Sequence, residues 1–275
     1  MARFLDPKAD LTFKKIFCQH PKLLISFLNA VMPFEPGRRI ESVEYLTSEM
    51  VPENPGKKFS IVDVRCFDNY KDQFIVEMQS NWEEGFMNRI LFNAGKAYVR
   101  QLDKGTQYDL LHTVYTVVIL SDNFDYKTER FYHHYKILNI ENSDEVIEGI
   151  EFVLMELTEK FKPETITDRK LMVLWLRFLK ELQDMKKLPP EMMEIEEIQL
   201  AAELCEESAF TPAELAAYEK YWDIISTEKT AINSALKKGI AKGKSEIAKK
   251  LKTRGMPFDE ISELTGLTIE EIEKI

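Results

Sequence analysis

Two stretches rich in β-branched and aromatic residues, separated by a short polar turn, constrain the fold of this chain most strongly. They are FSIVDVRCF at Phe59–Phe67 and DQFIVEMQ at Asp72–Gln79. Such runs on either side of a turn are typical of a β-hairpin. If the turn is centred on Tyr70, so that Asp68 lies opposite Asp72, the numbers of directly opposed residues sum to 140.

This register places Asp63 opposite Glu77, each between apolar neighbours. Directly opposed side chains have Cβ atoms about 4.5–5.5 Å apart, and like charges there are destabilising. A buried carboxylate needs an ionic partner, a proton or a cation. Mg²⁺ typically takes one or two carboxylates together with water and phosphate oxygens, and the two-residue period of a strand puts Gln79 on the face of Glu77. The hairpin therefore predicts a cation site formed by Asp63, Glu77 and Gln79.

The same residues fit a second interpretation, in which they form the polar face of a half-exposed hairpin. The carboxylates would then pair with Arg65 or Lys71. The opposed register also assumes a turn of odd length. A loop of two or four residues would instead set Asp63 and Glu77 diagonal to each other.

The segments around the hairpin predict an αβββαβ order for the first 120 residues. VYTVVIL at Val114–Leu120 is apolar on both faces, which is typical of a strand in the middle of a mixed sheet. Gly105 should end the helix predicted at Trp82–Leu102. The remaining predicted features are a helix containing Leu11, Phe13, Ile16 and Phe17 with Asp10 as its N-cap, a second apolar run at Leu23–Val31, a strand at Ile40–Met50 and a helix at Trp82–Leu102.

After about residue 125 the pattern predicts mostly helices. These are Glu145–Lys160, Asp168–Met185, the acidic stretch Glu194–Trp222, and a basic helix that leads into short helices joined by glycine turns. We therefore expect an α/β core at 1–125, a helical region at 126–235, and a basic helix with a helix-turn-helix-like tail at 236–275. The tail could read DNA, or pack and oligomerise. Its acids Glu270, Glu271 and Glu273 would repel phosphates.

The charge of the chain is distributed unevenly. A net charge of -10, from 37 basic and 47 acidic side chains, argues against nucleic acid as a partner of the whole surface. Residues 181–219 hold 11 acids against 2 basic residues, whereas residues 237–254 hold eight basic residues against one acid. A basic helix near the end is therefore available to a polyanion.

Several classes of protein are excluded by composition. The apolar runs are too short to span a bilayer and the N-terminus lacks the apolar core of a signal peptide, so we expect a globular cytoplasmic protein. The three cysteines, Cys18, Cys66 and Cys205, form no CxxC motif and support neither a disulfide framework nor a cysteine zinc site, so we expect them reduced and buried. The four histidines lack chelating spacing, which argues against a histidine-based metal enzyme.

Taken together, these motifs resemble the PD-(D/E)xK nuclease superfamily, with its restriction-endonuclease-like α/β fold. More narrowly, they are similar to the bacterial recombination-promoting nucleases, often labelled PD-(D/E)xK nuclease family transposases. The matching segments are DPKADLTFKKIF at 6–17, IVDVRCF at 61–67, FIVEMQ at 74–79, Arg89, YVRQLDKGTQYDLLHTVYTVVIL at 98–120 and ISELTGLTIEEI at 261–272. The resemblance covers the first 125 residues well and the C-terminal tail moderately.

This resemblance implies a metal-dependent DNA endonuclease that uses Mg²⁺ or Mn²⁺. Asp63 and Glu77 would be the metal ligands and Asp10 an additional acid, although Asp10 fits a simple N-cap equally well. Gln79 stands where most of the superfamily carries lysine. Glutamine orients water but supplies neither positive charge nor a proton, so the base must be metal-bound hydroxide, a substrate phosphate or another side chain. A catalytically weak or inactive DNA-binding or protein-interaction module is the alternative.

Basic residues near the hairpin are the candidate DNA contacts. Arg89 is favoured because it resembles a position that the family keeps. Each of the others can equally be a solvated surface charge. The candidates are Lys14, Lys15, Arg89, Lys96 and Arg100, followed by Lys57, Lys58 and Lys71. A homodimer formed through the C-terminal helices is a further expectation, and it would allow both strands of DNA to be cut.

Overall fold

The computed structural model describes residues 3–50, 60–80, 82–103, 107–124 and 126–275. Its strands are β1 Val43–Tyr45, β2 Glu49–Met50, β3 Ser60–Ile61, β4 Val64–Asp68, β5 Gln73–Gln79, β6 Val114–Leu120, β7 Tyr132–Leu138 and β8 Val146–Glu156. Six of them form one mixed sheet in the order β1-β4-β5-β6-β8-β7, and β2 pairs with β3 separately. Strands β5, β6 and β8 are parallel, whereas β1, β4 and β7 run antiparallel to their neighbours.

Helices precede, interrupt and follow these strands along the described residues. They are α1 Asp10–Gln19, α2 Pro21–Val31, α3 Phe86–Val99, α4 Lys170–Glu181, α5 Pro190–Met193, α6 Glu196–Cys205, α7 Pro212–Thr253, α8 Phe258–Thr265 and α9 Ile269–Glu273. Phe17, Phe27 and Trp175, from α1, α2 and α4, pack into the largest core cluster against one face of the sheet. Helix α3 covers the other face through Ile90 and Ala94. The mixed α/β fold expected from the sequence is therefore confirmed.

The hairpin has the predicted register. Val64 pairs with Val76 and Cys66 with Phe74, so opposed residue numbers sum to 140. The turn is of odd length, because the main-chain amide of Asp68 donates to the carbonyl of Asp72 across three turn residues. Strand β6 is also confirmed as a central strand, since each of its residues is buried between β5 and β8.

Four predicted boundaries in the first half of the chain are wrong. The strand expected at Ile40–Met50 is split into β1 and β2, and the first hairpin strand is interrupted at Asp63, where the chain bends between β3 and β4. Asp10 is the first residue of α1 and not its cap, which is Ala9. The helix expected at Trp82–Leu102 is shorter, and Gly105 lies outside the described residues.

The helix predicted at Glu145–Lys160 is also wrong, because β8 occupies most of it and β7 precedes it. The apolar residues of this stretch satisfy helical spacing, but pairing with β6 and β7 buries them in the sheet instead. Gly149, with a φ of 138°, lies against α3, where an added Cβ would meet the Tyr98 ring at 3.1 Å. Tertiary packing thus overrides the local pattern. Two strands of the main sheet lie in the stretch expected to be helical.

The chain forms two compact units, residues 1–215 and residues 216–275. In the second unit, Ala248 of α7 packs with Ile261 of α8 and Ile272 of α9. Gly255 and Gly266 adopt positive φ values of 81° and 66° in the connections, as the predicted glycine turns require.

The three cysteines are free thiols. Cys66 and Cys205 are buried as expected, and Cys18 is half-buried. Among the residues that the structure describes, no helix combines the length and apolar character needed to cross a bilayer.

Candidate functional site

Asp63 lies where the first hairpin strand bends, one residue before β4 begins. The ladder between β4 and β5 ends at the pair Val64 and Val76, so Asp63 and Glu77 occupy the next opposed positions beyond it. The carboxylate of Asp63 turns back to β5, where its Oδ2 accepts a 2.7 Å hydrogen bond from the main-chain amide of Met78. This bond fixes Asp63 against the carboxyl-terminal half of β5.

Glu77 lies on the face of β5 that α3 covers and is only 6% exposed. Its Oε1 accepts a 3.2 Å hydrogen bond from Nδ2 of Asn93, which is itself buried on α3. Asn93 therefore holds one oxygen of Glu77 in place.

Gln79 follows on the same face, as the two-residue strand period predicts. Its Oε1 accepts a 2.8 Å hydrogen bond from Nη2 of Arg89 on α3. The other terminal nitrogen of Arg89, Nη1, forms a 2.7 Å ion pair with Glu83. A guanidinium thus lies next to the neutral amide of Gln79.

Helix α1 approaches the site from the other side. Lys14 forms a 2.7 Å ion pair with Asp10, one turn earlier on the same helix. Burial lowers the pKa of Lys14, but the hydrogen bond to Asp10 and the charges of Asp10 and Asp63 raise it overall. Cys18 donates through Sγ to the main-chain carbonyl of Asp63 at 3.5 Å. Lys14 is therefore a protonated cation under the electrostatic influence of Asp63.

The two central carboxyl groups are both harder to ionise than usual. Burial raises the pKa of Asp63, and this effect outweighs the opposing hydrogen bond from Met78 and the charges of Lys14 and Arg89. Burial also raises the pKa of Glu77 to about 7, with a further contribution from the negative charge of Asp63. Such a pair is stabilised when a cation binds, because the cation offsets both desolvation and mutual repulsion.

The donor set fits a hard divalent cation. Asp63 Oδ1 and Glu77 Oε2 accept no hydrogen bond from any residue that the structure describes. Carboxylate oxygens are the donors that Mg²⁺ and Mn²⁺ prefer. Within the described ranges, no three or more His, Cys, Asp or Glu side chains are grouped as a metal site. An ion held here would therefore rely on two carboxylates and fill its other positions with water or substrate.

The remaining candidate DNA contacts have different surroundings. Lys15 donates to the carbonyl of Ala209 at 2.6 Å and lies 3.7 Å from the centre of the Phe210 ring. Lys96 lies 5.9 Å from the centre of the Phe92 ring, and partial burial and the charge of Arg100 lower its pKa. Lys57 and Lys58 fall outside the described residues.

Sequence reasoning missed Asn93. The signal was present, because Phe86, Ile90, Ala94 and Ala97 form the buried stripe of α3 and Asn93 lies on that same stripe. A buried amide needs a polar partner. Glu77, predicted to be buried on the adjoining strand, was the candidate partner for Asn93.

One family model matches the chain, that of the PD-(D/E)XK nuclease family transposases, over residues 7–235. No curated protein and no solved structure matches it. The match spans most of the chain and includes the hairpin, α3 and the central strands. Because this match covers well over half of the chain, the chain belongs to the PD-(D/E)XK nuclease family transposases.

Proposed function

We propose that this protein is a divalent-metal-dependent DNA endonuclease that hydrolyses phosphodiester bonds at the carboxyl-terminal end of β5. The observation that carries the proposal is the pair Asp63 and Glu77. Each carboxylate is fixed through one oxygen by a hydrogen bond and keeps the other oxygen free of donors among the described residues. Family membership supports the same reaction class.

Asp63 and Glu77 would hold Mg²⁺ or Mn²⁺ between the bend at Asp63 and strand β5. When bound, such an ion lowers the pKa of a coordinated water and stabilises negative charge on phosphate. The Met78 amide and Asn93 each hold one oxygen of these carboxylates in place. This preorganisation limits the conformational change needed for ion binding.

Arg89 would supply the positive charge that Gln79 lacks. Its guanidinium is anchored by Gln79 and Glu83 at 2.8 and 2.7 Å, and a fork of N–H donors suits a phosphate. Lys14 would add a second cation on the opposite side, next to Asp63. Because the pKa of Lys14 is raised, it would act as a charge and not as a proton acceptor.

The second candidate function is DNA binding on a weak or inactive nuclease fold. It is favoured by one observation, the neutral amide of Gln79 engaged with Arg89. An amide cannot exchange a proton with the attacking water. In this alternative, affinity for DNA persists and falls steeply with salt, but no strand is cut.

Plasmid nicking tests the proposal. Supercoiled plasmid should be nicked with Mg²⁺ or Mn²⁺, and Asp63→Asn and Glu77→Gln should each abolish nicking while leaving the fold intact. Glu44→Gln, an exposed acid on β1 of the same sheet, is the matched control and should cut like the unmodified chain. Equal cleavage by Asp63→Asn would refute the assignment, and salt-sensitive binding without any cleavage would favour the second candidate.

A further inference from the structure

An apolar stripe runs along the part of α7 that belongs to the C-terminal unit. We define the α7 stripe as Ile225, Ile232, Leu236, Ile240 and Ile247. Ile225 is half-buried, and the other four side chains are between 53% and 60% exposed. Ile224 is similarly exposed. It points about 100° away from Ile225, because an α-helix has 3.6 residues per turn.

The spacing of the α7 stripe is symmetrical. Its members are separated by 7, 4, 4 and 7 residues, which reads the same from either end with Leu236 at the centre. Lys229 and Gly243 lie on the same face, inside the two intervals of seven residues. With them included, the stretch from Ile225 to Leu236 and the stretch from Leu236 to Ile247 have the same spacing, so each is one 11-residue repeat. An 11-residue repeat has 3.67 residues per turn, close to a straight α-helix. All seven positions therefore lie along one face for roughly 33 Å at 1.5 Å per residue.

The short helices of the tail use a different face of α7. Ala248, adjacent to Ile247, is fully buried against α8 and α9, whereas Ile247 is half exposed. Packing inside the C-terminal unit thus leaves the α7 stripe in contact with water. A continuous exposed apolar face on a long helix is typical of an interaction surface.

We propose that the α7 stripe pairs with the same stripe of a second copy of this chain, antiparallel and centred on Leu236. Ile225 then packs against Ile247 of the second copy, Ile232 against its Ile240, and the two Leu236 side chains meet at the two-fold axis. Lys229 lies opposite Gly243. A Cβ added at Gly243 meets no described atom within 4 Å, so the lysine stem can pass over it with its charge in water.

Charge selects the antiparallel orientation. Residues 216–228 hold three acids against one lysine, a net charge of -2, whereas residues 229–253 hold eight lysines against one acid, a net charge of +7. A parallel pair would set the two basic segments side by side along their full length. The antiparallel pair places the acidic start of each helix next to the basic end of the other, which favours this orientation.

The mass of the full-length protein in solution tests the pairing. Sedimentation over a concentration series should give a dimer, and Leu236→Asp should weaken the dimer by about 100-fold or more, because it buries two like charges at the axis. Ile224→Asp, equally exposed but off the stripe, should leave the dimer unchanged. An unchanged helical circular dichroism signal shows that both variants fold. A monomeric unmodified protein, or a dimer that survives Leu236→Asp, overturns the proposal.

Cross-linking tests the orientation. In a Cys18→Ser background, protein carrying Ile225→Cys should form a disulfide with protein carrying Ile247→Cys, and each alone should form none. Cross-linking of Ile225→Cys with itself would establish a parallel pair and overturn the proposed register. Neither experiment depends on nuclease activity, so its outcome is independent of the proposed function.

Discussion

Arg89 Nη2 lies 2.8 Å from Gln79 Oε1 and ties helix α3 to the end of strand β5. The guanidinium also packs over the Phe86 ring, 4.9 Å from its centre, and pairs with Glu83. The positive charge that lysine supplies in most of the superfamily is thus present beside a neutral glutamine. This arrangement makes the contribution of Arg89 separable from that of the proposed metal ligands Asp63 and Glu77.

Replacing Arg89 should weaken catalysis more than metal binding. Arg89→Met removes the charge that the proposed mechanism places next to the scissile phosphate, so kcat/KM for plasmid nicking should fall by about 100-fold. Arg89→Lys should recover part of this loss, because charge is kept but the fork of donors is not. Mn²⁺ affinity should change little in either variant. Lys186→Met, which changes an exposed lysine far along the chain, is the control. An equal loss of kcat/KM in Lys186→Met and Arg89→Met would contradict the role of Arg89.

Exchanging the charge between positions 79 and 89 should restore activity that single changes remove. Gln79→Lys alone should lower nicking, because it breaks the hydrogen bond to Arg89 and sets two cations together. The double variant Gln79→Lys with Arg89→Gln should cut better than either single variant. A double-mutant cycle of rates measures this coupling, and purely additive losses would argue against it.

The stability of the ion-free protein should decrease as pH rises from about 4.5 to about 7. Glu77 has a folded-state pKa of about 7 against an ordinary value of 4.5, so unfolding releases its proton throughout this interval. Its share of the loss is about 3 kcal/mol, from the size of the pKa difference. Urea denaturation with chelator at several pH values should show the decrease in the unmodified chain and a shallower one in Glu77→Gln. Parallel pH profiles for the two proteins would rule out a buried, protonated Glu77.

The hairpin could be read from the sequence because its information is local. The turn residues set the register, in which the numbers of opposed residues sum to 140. This register places Asp63 opposite Glu77 without reference to the rest of the chain. Strand β8 could not be found in the same way. Its residues also satisfy a helical pattern, and only pairing with β6 and β7 decides between the two structures. Asn93 was missed for the same reason, since its partner lies on a different element.

The approach of β8 to α3 gives a prediction about stability. Gly149→Ala should destabilise the protein by about 1–3 kcal/mol, because the residue has a φ of 138° and the new Cβ would lie 3.1 Å from the Tyr98 ring. Gly95→Ala, in α3 with no described atom within 4 Å of its added Cβ, should instead stabilise by about 0.5–1 kcal/mol. Free energies of unfolding in urea distinguish the two, and a neutral Gly149→Ala would contradict the packing described.

Titration with Mn²⁺, followed by calorimetry at pH 8, tests most directly whether Asp63 and Glu77 together hold a divalent cation. At this pH, above the raised pKa of Glu77, the unmodified protein should bind the ion, Asp63→Asn and Glu77→Gln should each lose most of the binding, and Glu44→Gln should retain it. Absence of binding by the unmodified protein, or undiminished binding by Asp63→Asn, would contradict the account.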